Sequence, residues 1–289
     1  DLPTDPLAME QWYLSDTNVL AAWGTAAEQA AGQGYSGKGI KIAQFEPGSP
    51  FSTGPEVFDY RHPDLAGNAD KSWLNTLDAQ GNSNVSQTFS NHATMVAGVM
   101  VAARNGEGGV GVAYNASLAG QYIQGTGLEV SQLSSEITAA LAKFKNYDVV
   151  NNSWGPPDPA SGGTGSFYRS SSVWQQAVLQ GVTQGRGGLG TVYLIAAGNG
   201  GASGDDANRD GYANFRAMLT VGAVDDHNRP TSYTEPGANV LVAAPSGNVL
   251  GRFESTAGVV TTDIAGARGY ANASSSLGAD HTAFFDGTS

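Results

Sequence analysis

The sequence has no cysteine, which excludes a disulfide framework and any thiolate-held metal centre. Basic residues are scarce as well: 14 Lys and Arg stand against 26 Asp and Glu, a formal net charge of −12. This balance argues against nucleic acid as a partner, because phosphates need a basic face. An acidic surface suits calcium or cationic substrates instead. No apolar run approaches the roughly 20 residues that span a bilayer. The opening Asp1-Leu2-Pro3-Thr4-Asp5-Pro6 lacks the charged and apolar regions of a signal peptide, so it reads as a mature or trimmed N-terminus. A secreted eukaryotic chain of this size usually carries disulfides, so a bacterial origin with calcium as the staple is expected.

Glycine, by contrast, is plentiful, with 40 residues among 289, about twice the usual share of roughly 7%. No G-X-Y period accompanies it, so these glycines mark turns and close backbone approaches. Hydrophobic residues at 40% suffice for one large α/β domain. Without an internal repeat or linker, residues 1–289 are expected to form a single domain.

Thr17 to Ala31 is Ala-rich and amphipathic, and predicts a helix. Ile40 to Phe45 reads as a strand, Gly48 to Asp59 as a loop and His92 to Ala103 as a buried helix. Ser117 to Ile123 then predicts a strand, Ser131 to Lys145 a helix and Asp148 to Asn151 a strand. Val173 to Gln184 is helical in pattern, and Thr191 to Ala196, Met218 to Val224 and Val240 to Ala244 are strands. Strands alternating with helices imply a mostly parallel sheet with helices on both faces.

Several polar residues fall at the ends of these elements. Glu46 closes the first strand and His92 opens the buried helix. Asn199 follows a strand in Ala197-Gly198-Asn199-Gly200, and Ser289 ends Asp286-Gly287-Thr288-Ser289. Open α/β sheets place functional groups at such strand ends. A nucleophile, a base, an orienting acid and an amide donor are what acyl transfer requires. Each residue alone is more often a cap or a turn. Together they stand in the chain order acid, His, Ser, which differs from the chymotrypsin and α/β-hydrolase orders.

Asn91-His92-Ala93-Thr94-Met95-Val96-Ala97-Gly98, Ala197-Gly198-Asn199 and Gly287-Thr288-Ser289 resemble the motifs of subtilisin-like proteases. The kexin/furin branch is resembled more closely, through Gln11-Trp12-Tyr13-Leu14, His62-Pro63-Asp64-Leu65-Ala66-Gly67-Asn68, Ser153-Trp154-Gly155-Pro156 and Asp210-Gly211-Tyr212. The resemblance spans the whole chain. It implies an α/β, three-layer subtilisin-like fold, with Ser289 as nucleophile, His92 as general base and Asn199 in the oxyanion hole. Ser153, Trp154 and Gly155 would form the strip on which a substrate strand pairs. The family places Asp where this chain has Glu46. Glu46 takes the acid's place in the strand register, with Asp59 and Asp64 as rivals. The family nucleophile also opens a helix, whereas this sequence stops at Ser289, so the peptidase domain is expected to be incomplete.

The resemblance further implies two or more calcium ions. One would take Asp5, Asp64 and Asn105 with carbonyls near Ala102, Glu107 and Gly109; another would take Asp158, Asp205 and Glu235. Turn and cap carboxylates are the plainer reading of either set taken alone. Asp158 and Asp210 match the acids that select Arg or Lys before the cleaved bond. Pro47 and Phe89 stand where the acids for a second basic residue would be, so strict dibasic processing is not expected. The implied protein is a secreted, zymogen-derived, calcium-dependent serine endopeptidase acting on proteins or peptides. Its other partners would be a propeptide and a C-terminal remainder of the same protein. A broad degradative protease and an inactive binding module are the alternatives.

Overall fold

The computed structural model describes residues 3–47, 57–72, 89–123, 141–158, 165, 167–248, 257–266, 268–271 and 276–289. Two compact units emerge. The first comprises Asp1–Lys41, Val57–Ala119 and Ala257–Phe285; the second comprises Ile42–Glu56, Gly120–Thr256 and Asp286–Ser289.

The expected helix from Thr17 to Ala31 is instead two short ones, α2 (Val19–Trp23) and α3 (Ala26–Ala30), preceded by α1 (Trp12–Asp16). Gly24 breaks the run at φ 77°, and Thr25 starts α3 afresh through a capping box with Glu28. Gln11 lies buried beside α1, where its amide mimics a strand neighbour: Nε2 donates to the Val110 carbonyl at 3.0 Å and Oε1 accepts the Val110 N–H at 2.8 Å. Leu14, Trp23, Val110 and Val259 share the apolar cluster of this unit.

Helix α4 (Asn91–Val101) matches the expected buried helix and is capped by Ser90, whose Oγ accepts the Ala93 N–H at 3.1 Å. Residues 93–98 are all buried, so the middle of α4 is enclosed on every side. A two-stranded antiparallel ribbon, β7 (Val259–Thr262) with β8 (His281–Phe285), was not anticipated in the sequence. Thr261 and Thr262 donate their hydroxyls to the Met95 and Thr94 carbonyls of α4, both at 2.7 Å. Gly98 permits this approach, because a Cβ there would strike both threonine hydroxyls.

Among the described residues, a six-stranded sheet runs in the order β2-β1-β3-β4-β5-β6. Its strands are β1 (Lys41–Pro47), β2 (Ser117–Ile123), β3 (Val149–Asn152), β4 (Val192–Ala196), β5 (Leu219–Val224) and β6 (Val240–Pro245). The β1–β3, β3–β4, β4–β5 and β5–β6 pairings are all parallel, as the alternating pattern implies. Helix α5 (Ser172–Gln184) buries Trp174, Ala177, Val178 and Gly181, a helical spacing that packs one face into the core. There Phe45, Phe144, Trp174, Tyr193 and Ile195 form the main cluster of the second unit. Full burial contributes about 1.5–3 kcal/mol for a side chain such as Phe45. Of the expected helix 131–145, residues 131–140 lie outside the described residues, as do 48–56 of the expected loop.

Candidate active site

Register decides which residues meet at the sheet's functional edge. Phe45 pairs with Asn152, and Asn152 with Ile195. Because the strands are parallel, the next residues of each, Glu46, Ser153 and Ala196, emerge in one row at the carboxyl edge. Glu46 is buried, and its Oε1 accepts the Gln44 amide at 3.2 Å. Past β3, Ser153 is buried and its Oγ accepts the Asn151 amide at 2.8 Å. Trp154 packs at 5.1 Å edge-on to Tyr212 and at 6.1 Å from Phe45, steadying the strip that carries Gly155.

Past β4, Asn199 and Thr288 are clipped together. Asn199 Oδ1 accepts the Thr288 N–H at 2.9 Å and the Thr288 hydroxyl at 3.0 Å. The Thr288 hydroxyl in turn accepts the Gly198 N–H at 3.1 Å. A main-chain N–H can only donate, so Oδ1 is the amide end turned towards Thr288. Nδ2 is thereby kept available as a donor. Ser289 follows directly and is half-buried. Tyr233 and Ser246, which carry no signal in the local sequence, hold Gly287: its N–H donates to the Tyr233 hydroxyl at 3.0 Å, and Ser246 donates to its carbonyl at 2.8 Å.

His92 belongs to the first unit, whereas Glu46, Asn199 and Ser289 belong to the second. His92 lies in the first turn of α4, half-buried, with its ring 6.2 Å from that of Phe285. Beside it, the Asn91 amide donates to Asp263 at 3.0 Å. The rival acids have other work in this unit. Asp59 accepts the N–H groups of Arg61 and Ala265, at 3.1 and 3.3 Å. Asp64 Oδ2 accepts the Gly109 N–H at 3.1 Å and sits 2.8 Å from His281 Nε2.

The first expected calcium set comes together within the first unit. Asp5 Oδ1 accepts the N–H groups of Asn105 and Gly106, at 2.9 and 2.8 Å, and Asn105 Oδ1 accepts that of Glu107 at 2.9 Å. The other oxygens, Asp5 Oδ2 and Asp64 Oδ1, are buried without a hydrogen-bond partner. Buried acceptors without a donor are costly, and two of them on carboxylates of the expected set fit a hard cation. The Ala102 carbonyl accepts the Gly111 N–H at 2.8 Å, which leaves it one lone pair. His62 and His281, 5.2 Å apart edge-to-face, pack beside the site. His62 Nδ1 accepts the Asp64 N–H and its Nε2 meets the Asp280 carbonyl at 2.9 Å, which requires the Nε2–H tautomer.

The second set lies in the second unit. Oxygens of Asp158, Asp205 and Glu235 lie within 4.8 Å of one another. Burial, together with the neighbouring Asp205 and Asp158 charges, raises the Glu235 pKa to about 7, against the bond from Gly200 N–H, which lowers it. Asp158 is raised as well, mainly by burial. Carboxylates that resist ionising side by side fit a divalent cation. Next to them, Gly155, Tyr168, Gly198, Asp205, Asp210 and Glu235 line a pocket, with Arg209 at its wall. Burial pushes Asp210 up to about 6, although its Oδ1 accepts the Tyr212 N–H at 2.7 Å. Asp158 groups with Asp205 and Glu235, both of which also line the pocket. Phe89 is buried in the first unit, under the Arg61 guanidinium at 4.6 Å. The Pro47 side chain lies outside the described residues.

A family model described as the subtilase family matches residues 52–289. Human furin is 34% identical over 279 residues, covering 91% of this chain and 31% of its own length. Human proprotein convertase subtilisin/kexin type 4 is 33% identical over 276 residues, covering 91% and 32%. The chain therefore spans about a third of the length of these curated relatives. Among solved structures, the Aeromonas sobria serine protease in complex with its chaperone aligns over 99% of this chain and 52% of its own, with a TM-score of 0.70 and 21% identity. A protease of Pseudoalteromonas arctica aligns over 100% and 83%, with a TM-score of 0.65 and 24% identity. At these identities the structural likeness speaks for the fold.

Proposed function

The chain belongs to the subtilase family, and from that premise we propose that it is the catalytic portion of a secreted, calcium-dependent serine endopeptidase that cleaves after basic residues. The observation that carries the reading is the clip between Asn199 and Thr288, which holds an amide donor beside Ser289.

In this mechanism Ser289 Oγ attacks the scissile carbonyl carbon while His92 takes the hydroxyl proton. The carbonyl oxygen becomes an oxyanion that accepts hydrogen bonds from Asn199 Nδ2 and the Ser289 N–H. His92 then gives its proton to the leaving amine as the C–N bond breaks, and water repeats the sequence on the acyl-enzyme. Glu46 orients the imidazole and stabilises its charged form. Asp210 reads a basic side chain in its pocket, while Gly155 and its neighbours offer backbone to the substrate strand. Calcium would be held by Asp5, Asp64 and Asn105 and by Asp158, Asp205 and Glu235, where it supplies charge neutralisation. The proposed partners are protein substrates, a propeptide and the remainder of the protein. Among the described residues no helix is long and apolar enough to cross a membrane.

A second reading, a degradative protease of broad specificity, is favoured by one observation: Asp158 sits in the acid trio with Asp205 and Glu235, where calcium would engage it and leave Asp210 without that partner acid for a substrate cation. Labelling of Ser289 by a fluorophosphonate, blocked in Ser289→Ala, tests the enzyme class. A peptide-library profile separates the two specificities, since enrichment of Arg and Lys before the cut supports the first and an unselective profile the second.

A further inference from the structure

We propose that Tyr233 and Ser246 are positioning residues for the reaction, locking the Gly287 peptide so that the nucleophile keeps one orientation. The inference rests on the reading of Ser289 as nucleophile.

The Gly287 N–H lies 3.0 Å from the Tyr233 hydroxyl, and the Gly287 carbonyl 2.8 Å from Ser246 Oγ. The Tyr233 hydroxyl also lies 2.5 Å from the Gly247 carbonyl and 2.8 Å from Ser246 Oγ. Each hydroxyl has one proton. Ser246 must donate to the Gly287 carbonyl, and Tyr233 to the Gly247 carbonyl, which leaves the Tyr233 lone pairs for the Gly287 N–H. Both polar groups of Gly287 are thus taken by side chains more than 40 positions away. Ser246 is buried and Tyr233 half-buried, so water competes poorly for these bonds.

Gly287 needs this support. Its φ of 111° lies where L side chains rarely go, and a Cβ would find ordinary room there, so backbone freedom and not space explains the glycine. A flexible glycine two residues before the nucleophile would let Ser289 wander. Thr288 is held separately, by Gly198 and Asn199. Gly247 also bridges Asp286 in parallel pairing, so the anchor continues one residue further back. The turn is held at three successive residues, and the Tyr233–Ser246 pair accounts for the one with most freedom.

The test uses Tyr233→Phe and Ser246→Ala in the intact protein, with active sites counted by fluorophosphonate titration. Misplacement of a reacting group lowers kcat without weakening substrate binding. Each variant should lose about tenfold in kcat per titrated site, with KM within about twofold. The double variant should lose far less than the product, because both bonds hold one peptide. Folded Tyr233→Phe with wild-type kcat per site, or a loss confined to KM or Tm, overturns the proposal. Should Tyr233→Phe not accumulate folded, Ser246→Ala decides by the same split. A wild-type protein that neither turns over nor takes the probe sinks the nucleophile assignment, and this proposal with it. Failure of the positioning role alone leaves wild type active and the variants equal to it.

Discussion

Asn199 Oδ1 accepts two hydrogen bonds from Thr288, one from the main chain and one from the hydroxyl. This relationship orders two effects. Asn199→Ala should lower kcat by about 10²–10³, the usual cost of one oxyanion donor. Thr288→Val, which keeps shape but loses the hydroxyl, should cost about tenfold. In the Asn199→Ala background Thr288→Val should add little, because the hydroxyl acts through Asn199. Multiplicative losses in the kcat of the double variant would separate the two residues.

Glu46 is buried at the end of β1, and Glu46→Gln preserves its shape. As the orienting acid it should then show a fall in kcat of about 10⁴, from the wrong imidazole tautomer. Glu46→Asp, one methylene shorter, should retain more activity than Glu46→Gln. Near-normal hydrolysis by Glu46→Gln would move the role to another carboxylate.

Glu235, raised to about 7, and Asp210, raised to about 6, bind protons more tightly folded than unfolded. In calcium-free protein their stabilising contribution is full below about pH 4 and falls as pH rises to about 7. Calcium should reverse this, adding most Tm above pH 7, where Glu235 is ionised. At a hundredfold excess over Kd, native-state binding adds about 2.7 kcal/mol. Thermal melts from pH 4 to 8, with calcium or chelator, read both trends. Equal Tm with and without chelator at pH 8 would remove calcium as a staple.

Asp210 lines the pocket and resists ionisation without a cation. Arg peptides should therefore beat Lys, because a planar guanidinium forks onto carboxylate. Leu and Phe peptides should fall about 10²-fold or more in kcat/KM, since they leave the buried acid unpaired. Asp210→Asn should erase most of that preference. Leu cut as well as Arg by wild type would favour the degradative reading.

Local pattern carried much of this architecture. Buried strands such as Val192–Ala196 and the α5 spacing of Trp174, Ala177, Val178 and Gly181 were legible, because burial imposes a period on the chain. The break at Gly24 carried its own signal in Gly24, Thr25 and Glu28, yet the Ala-rich composition around it favoured one long helix. The β7–β8 ribbon was not legible, since its strands lie 18 residues apart and β7 is also held by hydrogen bonds to α4.

The candidate site divides in the same way. By itself the sequence determined which chemistries are present: the Gly287-Thr288-Ser289 ending, Asn199 after a strand, His92 opening a buried helix and the acids near Asp64 and Asp158. Each announces itself through immediate neighbours, because turns, caps and strand ends are chosen by local backbone preference. Only the tertiary structure decided that Asn199 turns its oxygen to Thr288, that Asp5 and Asp64 leave two buried oxygens without donors, and that Tyr233 and Ser246 grip Gly287. The grips on Thr288 and Gly287 depend on hydrogen bonds between residues 41 to 89 positions apart. No local propensity encodes such partners, since it is the parallel register of the sheet and the packing of its core that bring them within bonding distance.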